Sequence, residues 1–383
     1  MKNFSFKIPQ NIEFGIGCLN KLPHILQSDS INHVFIISDH GLEGIGLVQK
    51  AENILSDHGI KVDKFLNVLA NPTIQTVNEA NECFKKSGAQ SIIALGGGSP
   101  IDVAKSVGVL STYGGNIKDY EGNGKVPGAI TPIIAIPTTA GTGSEVTASS
   151  VITDQDRNYK MTIFSYELLP KYALLDPVLI TSTPFHIVAA CGIDALIHAI
   201  ESYISLNANP FSEAMSEKAM ELIGRSIRKF VANPSNLSFA SDMMAGSNFA
   251  GIAFAWARLG CIHSMSHPVS AHFNVPHGVA NAVLMPTVMN YNSLADTDKY
   301  KKIYNYIQNS NEQYKNPESL ICELKALNHA LKIPSHLSDL GITLDDNIIK
   351  LMAIDASKSA NTLANPRYTS VEDLINLYHL AYK

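Results

Sequence analysis

Cysteine is scarce and follows no pairing pattern. Cys18, Cys83, Cys191, Cys261 and Cys322 are an odd number, scattered, with no Cys-x-x-Cys. This excludes a disulfide framework, argues against thiolate zinc ligation, and points to reduced thiols in a cytoplasmic protein. A basic run is also missing: 29 Lys and Arg against 34 Asp and Glu leave a net charge of −5. Neither nucleic acid nor an anionic membrane surface is an expected partner. No apolar run reads as a membrane span. Residues 2–7 are polar and mixed, with no apolar stretch behind them, so no secretory signal is expected. His-Glu-x-x-His is absent, which argues against the usual zinc protease arrangement. There is no low-complexity segment and no evident internal repeat.

What is present divides into two textures. A chain of 383 residues has room for two ordinary domains and a large core. Up to about residue 182, short β-branched runs alternate with helical patterns. Strands are predicted over 33–38, 61–66, 91–95 and 131–136, and helices over 45–59, 73–88 and 101–110. Such alternation implies a parallel sheet with helices on both faces. Residues 150–163 read as a hairpin around Asp-Gln-Asp-Arg-Asn. After Thr181-Ser-Thr-Pro184 helical periodicity takes over, with helices predicted over 184–205, 210–231, 236–259, 264–273 and 278–291. The expected domains are therefore an α/β half, 1–182, and an all-helical half, 183–383.

Two glycine loops suit a dinucleotide. Gly96-Gly97-Gly98-Ser99-Pro100-Ile101-Asp102 follows a strand and opens a helix. Its glycines let the backbone approach a ligand, Ser99 reads as the helix cap, and free N–H groups there favour a pyrophosphate. It is neither Gly-x-Gly-x-x-Gly nor a Walker loop. Pro137-Thr-Thr-Ala-Gly-Thr-Gly-Ser-Glu145 follows the next strand, and ligands of open α/β sheets bind outside strand carboxyl ends. Asp39 ends the first strand, where an acid accepts hydrogen bonds from ribose hydroxyls and repels a 2′-phosphate, favouring NAD over NADP.

A metal set lies in the second half. Asp194 and His198 are four apart on one predicted helix, and so share a face. His263, His267, His272 and His277 crowd into fifteen positions, where even spreading would place roughly half a histidine. A carboxylate with imidazoles suits iron, zinc or manganese. Four ligands can come from Asp194, His198 and any two of the clustered histidines; spacing does not choose the two, and at least one is expected to serve proton chemistry.

These motifs together resemble the iron-dependent (group III) alcohol dehydrogenases, a family that includes lactaldehyde reductase, 1,3-propanediol dehydrogenase and butanol dehydrogenases. The resemblance spans nearly the whole chain. It rests on Gly-Gly-Gly-Ser-Pro-x-Asp-x-Ala-Lys at 96–105, the 137–145 loop, Asp176-Pro177, Asp194-Ala-Leu-x-His-Ala-x-Glu201 and His263-x3-His267-Pro-x8-His277-Gly. It implies an α/β dinucleotide-binding domain followed by an all-α metal-binding domain, the dehydroquinate synthase-like fold. It implies hydride transfer between a short alcohol or aldehyde and NAD, one divalent metal, commonly Fe²⁺ with Zn²⁺ as an alternative, and a homodimer or larger assembly. The matching ligands are Asp194, His198, His263 and His277, and His267 matches the histidine beside the nicotinamide. Gly97, Gly98 and Ser99 match pyrophosphate contacts; Asp102, Thr138, Thr139, Thr142, Lys160 and Asn71 complete the cofactor set, and Asp39 matches the acid tied to NAD preference. Departures from the family pattern cluster at Phe254-Ala-Trp256-Ala-Arg258 and His267-Pro-Val-Ser270-Ala271-His272 and bear on the substrate. Trp256 either packs or lines the substrate pocket, Arg258 either makes a salt bridge or holds an anionic group, and His272 is a candidate proton relay. Alternative readings are a polyol dehydrogenase or dehydroquinate synthase-like lyase, a metal-dependent hydrolase and a non-catalytic binding subunit.

Overall fold

The computed structural model describes residues 11–157, 159–309 and 312–383. The 2–7 stretch and the last residue of the Asp-Gln-Asp-Arg-Asn turn lie outside them. Contacts divide the chain into two compact units, one running to Ser182 and the other Thr183–Lys383.

The first unit contains, in order, β1 (Asn11–Phe14), α1 (Leu22–Ser28), β2 (His33–Ile37), α2 (His40–Gly44), α3 (Leu47–Ser56), β3 (Lys61–Phe65), α4 (Ile74–Ser87), β4 (Ser91–Gly96), α5 (Gly98–Tyr113), β5 (Gly122–Asn123), β6 (Ile133–Pro137), β7 (Ser149–Asp154), β8 (Tyr159–Phe164) and β9 (Tyr172–Leu175). Six strands form a parallel sheet in the order β1-β9-β6-β4-β2-β3. The period-2 geometry of a strand sends successive side chains to opposite faces. Phe35, Ile37, Ile92, Ala94, Ile133 and Ala135 pack on one side with α4 and α5. Val34, Ile36, Ile93, Leu95, Ile134 and Ile136 pack on the other with α1 and α3. Both faces are buried, which is why these strands read as continuous apolar runs rather than alternating ones. The chain moves outward from β2 to β3, then back past β2 to β4 and on to β6. The direction therefore reverses between β2 and β4, the position where open sheets of this class take ligands.

Local signals set the helix ends. Thr73 caps α4 by accepting from Thr76 N–H, and Gly88 closes it at φ +71°. The helix expected over 45–59 forms as α3, its start set by Gly46 at φ +80°, and the short α2 before it had no counterpart in the expectation. Asp39 caps the short α2, accepting from Leu42 N–H at 3.0 Å. Ser99 is not the cap of α5. Gly97 holds that place, and the Ser99 hydroxyl donates to the Ala70 carbonyl at 2.7 Å. The flexible Gly97-Gly98 pair turns into the helix earlier than the serine signal suggests. The hairpin forms as β7 and β8, antiparallel.

The second unit is α6 (Phe185–Ile204), α7 (Pro210–Ala232), α8 (Leu237–Ala257), α9 (Cys261–Phe273), α10 (His277–Asn292), α11 (Thr297–Ile307), α12 (Pro317–Ala330), α13 (Asp346–Ser357) and α14 (Val371–Tyr382), with no strand among its described residues. Asn209 and Ser212 form a capping box on α7, with Pro210 in the first turn. α6 packs against α7, α8 and α10. Contrary to the sequence expectation, α6 is long and apolar enough to cross a membrane by length and composition. It is mostly buried inside this unit, so its hydrophobicity is that of a core helix. On its surface Asp194, His198 and Glu201 fall at i, i+4 and i+7, a polar stripe on a mostly apolar helix.

Candidate metal centre and nucleotide loops

Three helices of the second unit each present a polar pair one turn apart: Asp194 and His198 on α6, His263 and His267 on α9, His277 and Asn281 on α10. Donor atoms of Asp194, His263 and His277 lie within 4.8 Å of one another. His263 Nε2 is 3.6 Å and His277 Nε2 3.9 Å from Asp194 Oδ1, while His198 Nε2 is 3.9 Å from Asp194 Oδ2. A tetrahedral ion with bonds near 2.1 Å separates its donors by about 3.4 Å, close to these spacings. Asn281 Nδ2 lies 2.7 Å from Asp194 Oδ1, 3.0 Å from His263 Nε2 and 3.1 Å from His277 Nε2. With both imidazoles unprotonated at Nε2, one amide brings two protons to three acceptors. A surplus of lone pairs converging at one buried point is the composition that suits a divalent cation, so the residues fit a metal.

The electrostatics agree. Burial works against ionisation of Asp194, but His198, His277 and His263 outweigh it and hold the carboxyl well below its usual range. Burial also pushes the His263 imidazole down, yet hydrogen bonds to Asp194 and Glu201 reverse this and raise it to about 9. The pocket thus draws positive charge. Ring packing fixes the donors: His198 lies between Phe254, with ring centroids 4.5 Å apart, and His263, stacked at 4.6 Å. Gly278 lets α10 approach α6. A Cβ there would lie 2.2 Å from the Ala190 carbonyl oxygen and 3.3 Å from the Asp194 Cβ.

His267 is half-buried, its ring 5.3 Å from His277 and 6.4 Å from His263. His272 is exposed, with its ring 6.3 Å from Phe273; no described contact brings it to the other histidines. Trp256 is half-buried. Arg258 is exposed at the end of α8, held at φ +62°, ψ −175°, a region almost reserved for glycine.

In the first unit, Asp39, the glycine loop and the threonine loop follow β2, β4 and β6, three neighbouring strands. The loops interlock. Thr138 N–H donates to the Gly96 carbonyl at 3.1 Å. A Cβ on Gly98 would sit 2.9 Å from Thr142 Cγ2, and one on Gly97 would sit 3.2 Å from Thr139 Oγ1. The glycines therefore serve loop-to-loop packing as well as any ligand. Asp102 points into this scaffold, its carboxylate accepting from Ser144 Oγ at 2.6 Å and Val151 N–H at 3.1 Å. Lys160 Nζ donates to Asn71 Oδ1 at 3.1 Å.

Several participants had no role assigned to them from the sequence. Lys105 is fully buried and donates to the carbonyls of Ser144, Thr147 and Ser149 at 2.7–2.8 Å. Burial pushes its amine down to about 8. Its place as the closing residue of the Gly-Gly-Gly-Ser-Pro-x-Asp-x-Ala-Lys motif was the available clue. Glu201 closes the Asp-Ala-Leu-x-His-Ala-x-Glu motif, and Asn281 was marked only by falling one helical turn from His277 on the same face.

A parallel sheet with ligand loops at its switch point, and a carboxylate–imidazole cluster on a helical unit, define a metal- and nucleotide-dependent enzyme. Comparison with known proteins fixes the family. The profile described as "Iron-containing alcohol dehydrogenase" matches residues 9–177, and "Fe-containing alcohol dehydrogenase family, C-terminal" matches residues 188–382. The 1,3-propanediol dehydrogenase of Citrobacter freundii is 35% identical over 384 residues, covering 99% of each chain. Lactaldehyde reductase of Escherichia coli (strain K12) is 35% identical over 374 residues, 96% of this chain and 97% of its own. The crystal structure of sulfoacetaldehyde reductase from Bifidobacterium kashiwanohense in complex with NAD⁺ superposes with a TM-score of 0.89 at 26% identity, covering 100% of this chain and 99% of that one. The chain belongs to the iron-containing alcohol dehydrogenase family.

Proposed function

We propose that the chain is an NAD(H)-linked alcohol dehydrogenase and aldehyde reductase acting on a short primary alcohol or diol. The observation that supports this most is the convergence of Asp194, His263 and His277 donor atoms within 4.8 Å. In this reading Asp194, His198, His263 and His277 hold one divalent ion, Fe²⁺ first and Zn²⁺ as an alternative. Bound there, it supplies Lewis acidity toward the alcohol oxygen. The remaining work falls to the protein's own groups. N–H groups of Gly98 and Ser99 in the first turn of α5 bind the pyrophosphate, with Gly97 allowing the approach. Thr138, Thr139 and Thr142 line the opposite side, with Asp102 bracing their loop. Asp39 accepts from the ribose hydroxyls, and the Asn71–Lys160 pair contacts the cofactor further along. His267, beside His277, or the exposed His272 through water, passes the alcohol proton toward solvent. Hydride moves between the alcohol carbon and nicotinamide, chemistry that the cofactor carries and the protein aligns. A cytoplasmic location and a homodimer or larger assembly belong to the same proposal.

The test is NADH absorbance against a panel of short aldehydes, with protein stripped of metal and then reloaded with Fe²⁺ or Zn²⁺ without oxygen. Metal-restored NADH oxidation is the expected result. Full turnover by the stripped protein, or failure to bind NADH, would overturn the reading.

A further inference from the structure

We propose that Glu201 is a positioning residue of the metal centre: it fixes which nitrogen of His263 faces Asp194 and ties α9 to the helix carrying Asp194 and His198. This deepens the reading above and rests on His263 being a ligand.

Glu201 is 1% exposed, one helical turn beyond His198 on the polar stripe of α6. Its two carboxylate oxygens do different things. Oε2 is 2.6 Å from His263 Nδ1. Oε1 accepts from the Ile262 N–H at 2.7 Å. An ionised carboxylate only accepts, so Nδ1 must carry the proton and donate. The lone pair of a neutral His263 is then on Nε2, the atom 3.6 Å from Asp194 Oδ1. Carboxylates behind metal-ligating histidines orient the ring and raise its basicity in this way.

The second contact explains why a residue on another helix is used. α9 has Gly260 in its cap position and so no side-chain cap of its own. The first N–H groups of a helix need acceptors, and negative charge is favoured there. Glu201 supplies both for Ile262, and Asn365 Oδ1 accepts from Cys261 N–H at 3.2 Å. One carboxylate thus sets the ring orientation of His263 and the approach of its helix to α6 together. Its negative charge lies against Nδ1, across the His263 ring from the Nε2 that faces Asp194.

An amide cannot replace it. In Glu201→Gln the oxygen can still accept from Ile262 N–H, but the amide nitrogen then faces Nδ1 and donates. That leaves Nδ1 as acceptor and moves the proton to Nε2, the atom needed for the metal. The experiment is a chelator-competition measurement of Zn²⁺ and Fe²⁺ affinity on full-length protein, comparing wild type, E201Q, N365A and H263A, with the melting temperature of each metal-free form. E201Q is expected to bind metal about 10–100-fold more weakly than wild type. N365A, which loses a cap on the same turn without touching an imidazole, is expected to lower the melting temperature and leave metal affinity within about threefold. H263A is expected to lose binding. Wild-type affinity in E201Q alongside loss in H263A overturns the role of Glu201; equal affinity in wild type and H263A overturns the ligand assignment instead. Should E201Q fail to fold, ¹⁵N spectra of histidine-labelled, zinc-loaded wild type decide. The proposal requires a protonated Nδ1 and a coordinated Nε2 in His263; the reverse assignment overturns it.

Discussion

The rings of His198 and His263 stack nearly parallel, 20° apart with centroids 4.6 Å from each other, although they come from different helices. Each directs Nε2 at a different oxygen of Asp194. The carboxylate is thus the hub of the cluster. Asp194→Asn keeps its shape and removes its charge. Metal affinity should fall by at least about a hundredfold, with turnover falling in parallel. Chelator competition and NADH-linked kinetics on the same preparation check this; a variant with wild-type affinity refutes the arrangement.

Metal loading should compete with protons. In the metal-free protein His263 binds its second proton up to about pH 9, while Asp194 stays ionised well below neutrality. Affinity should therefore drop about tenfold for each pH unit below 9, per proton displaced. The same shift makes the metal-free fold more stable below the ordinary histidine value of 6.5, and that gain is lost as pH rises through about 9. Calorimetric titration at pH 6, 7 and 8, in buffers of different ionisation enthalpy, reads both affinity and proton release. An affinity flat across that range would contradict the expectation.

Lys105→Met fills similar volume but leaves the carbonyls of Ser144, Thr147 and Ser149 without their ammonium donor. The loss should cost about 3 kcal/mol and lower the melting temperature by roughly 6–12 °C. NADH affinity should fall as well, since those carbonyls adjoin the threonine loop. Thermal scans with and without NADH test it; unchanged melting would mean the buried amine is dispensable.

Asp39→Gly should raise the NADPH/NADH ratio of kcat/KM by roughly tenfold or more, by removing a charge that repels a 2′-phosphate. The residue also caps α2, but glycine is a tolerated cap, so the stability cost should be only about 0.3 kcal/mol. An unchanged ratio would reject the role.

Much of the fold was legible because buried parallel strands are apolar on both faces. Val34 to Ile37 and Ile92 to Leu95 could hardly be anything else. The short edge strand β1 and the four-residue β9 escaped notice, having too few residues to show a pattern. The short α2 escaped notice as well, lying wholly before the helix that periodicity marked. In the second unit, i, i+4 spacing singled out Asp194 with His198 and His263 with His267. It could not rank the four clustered histidines, because which of them meet depends on how α6, α9 and α10 cross. The roles of Glu201 and Asn281 were hidden for a related reason. A polar residue in an apolar helix announces that it has a partner, and only tertiary packing says which.

Gly278 bears no donor atom, yet the Ala190 carbonyl leaves no room for any larger residue behind His277. The site therefore has a point of failure that an inspection of ligands would miss. A homologue or laboratory variant with all four proposed donors in place but alanine at this position would pass a search for those donors alone and still hold α10 too far out for His277 to reach Asp194. Screens for active members of such a family should weigh this methyl-sized gap as heavily as the histidines themselves.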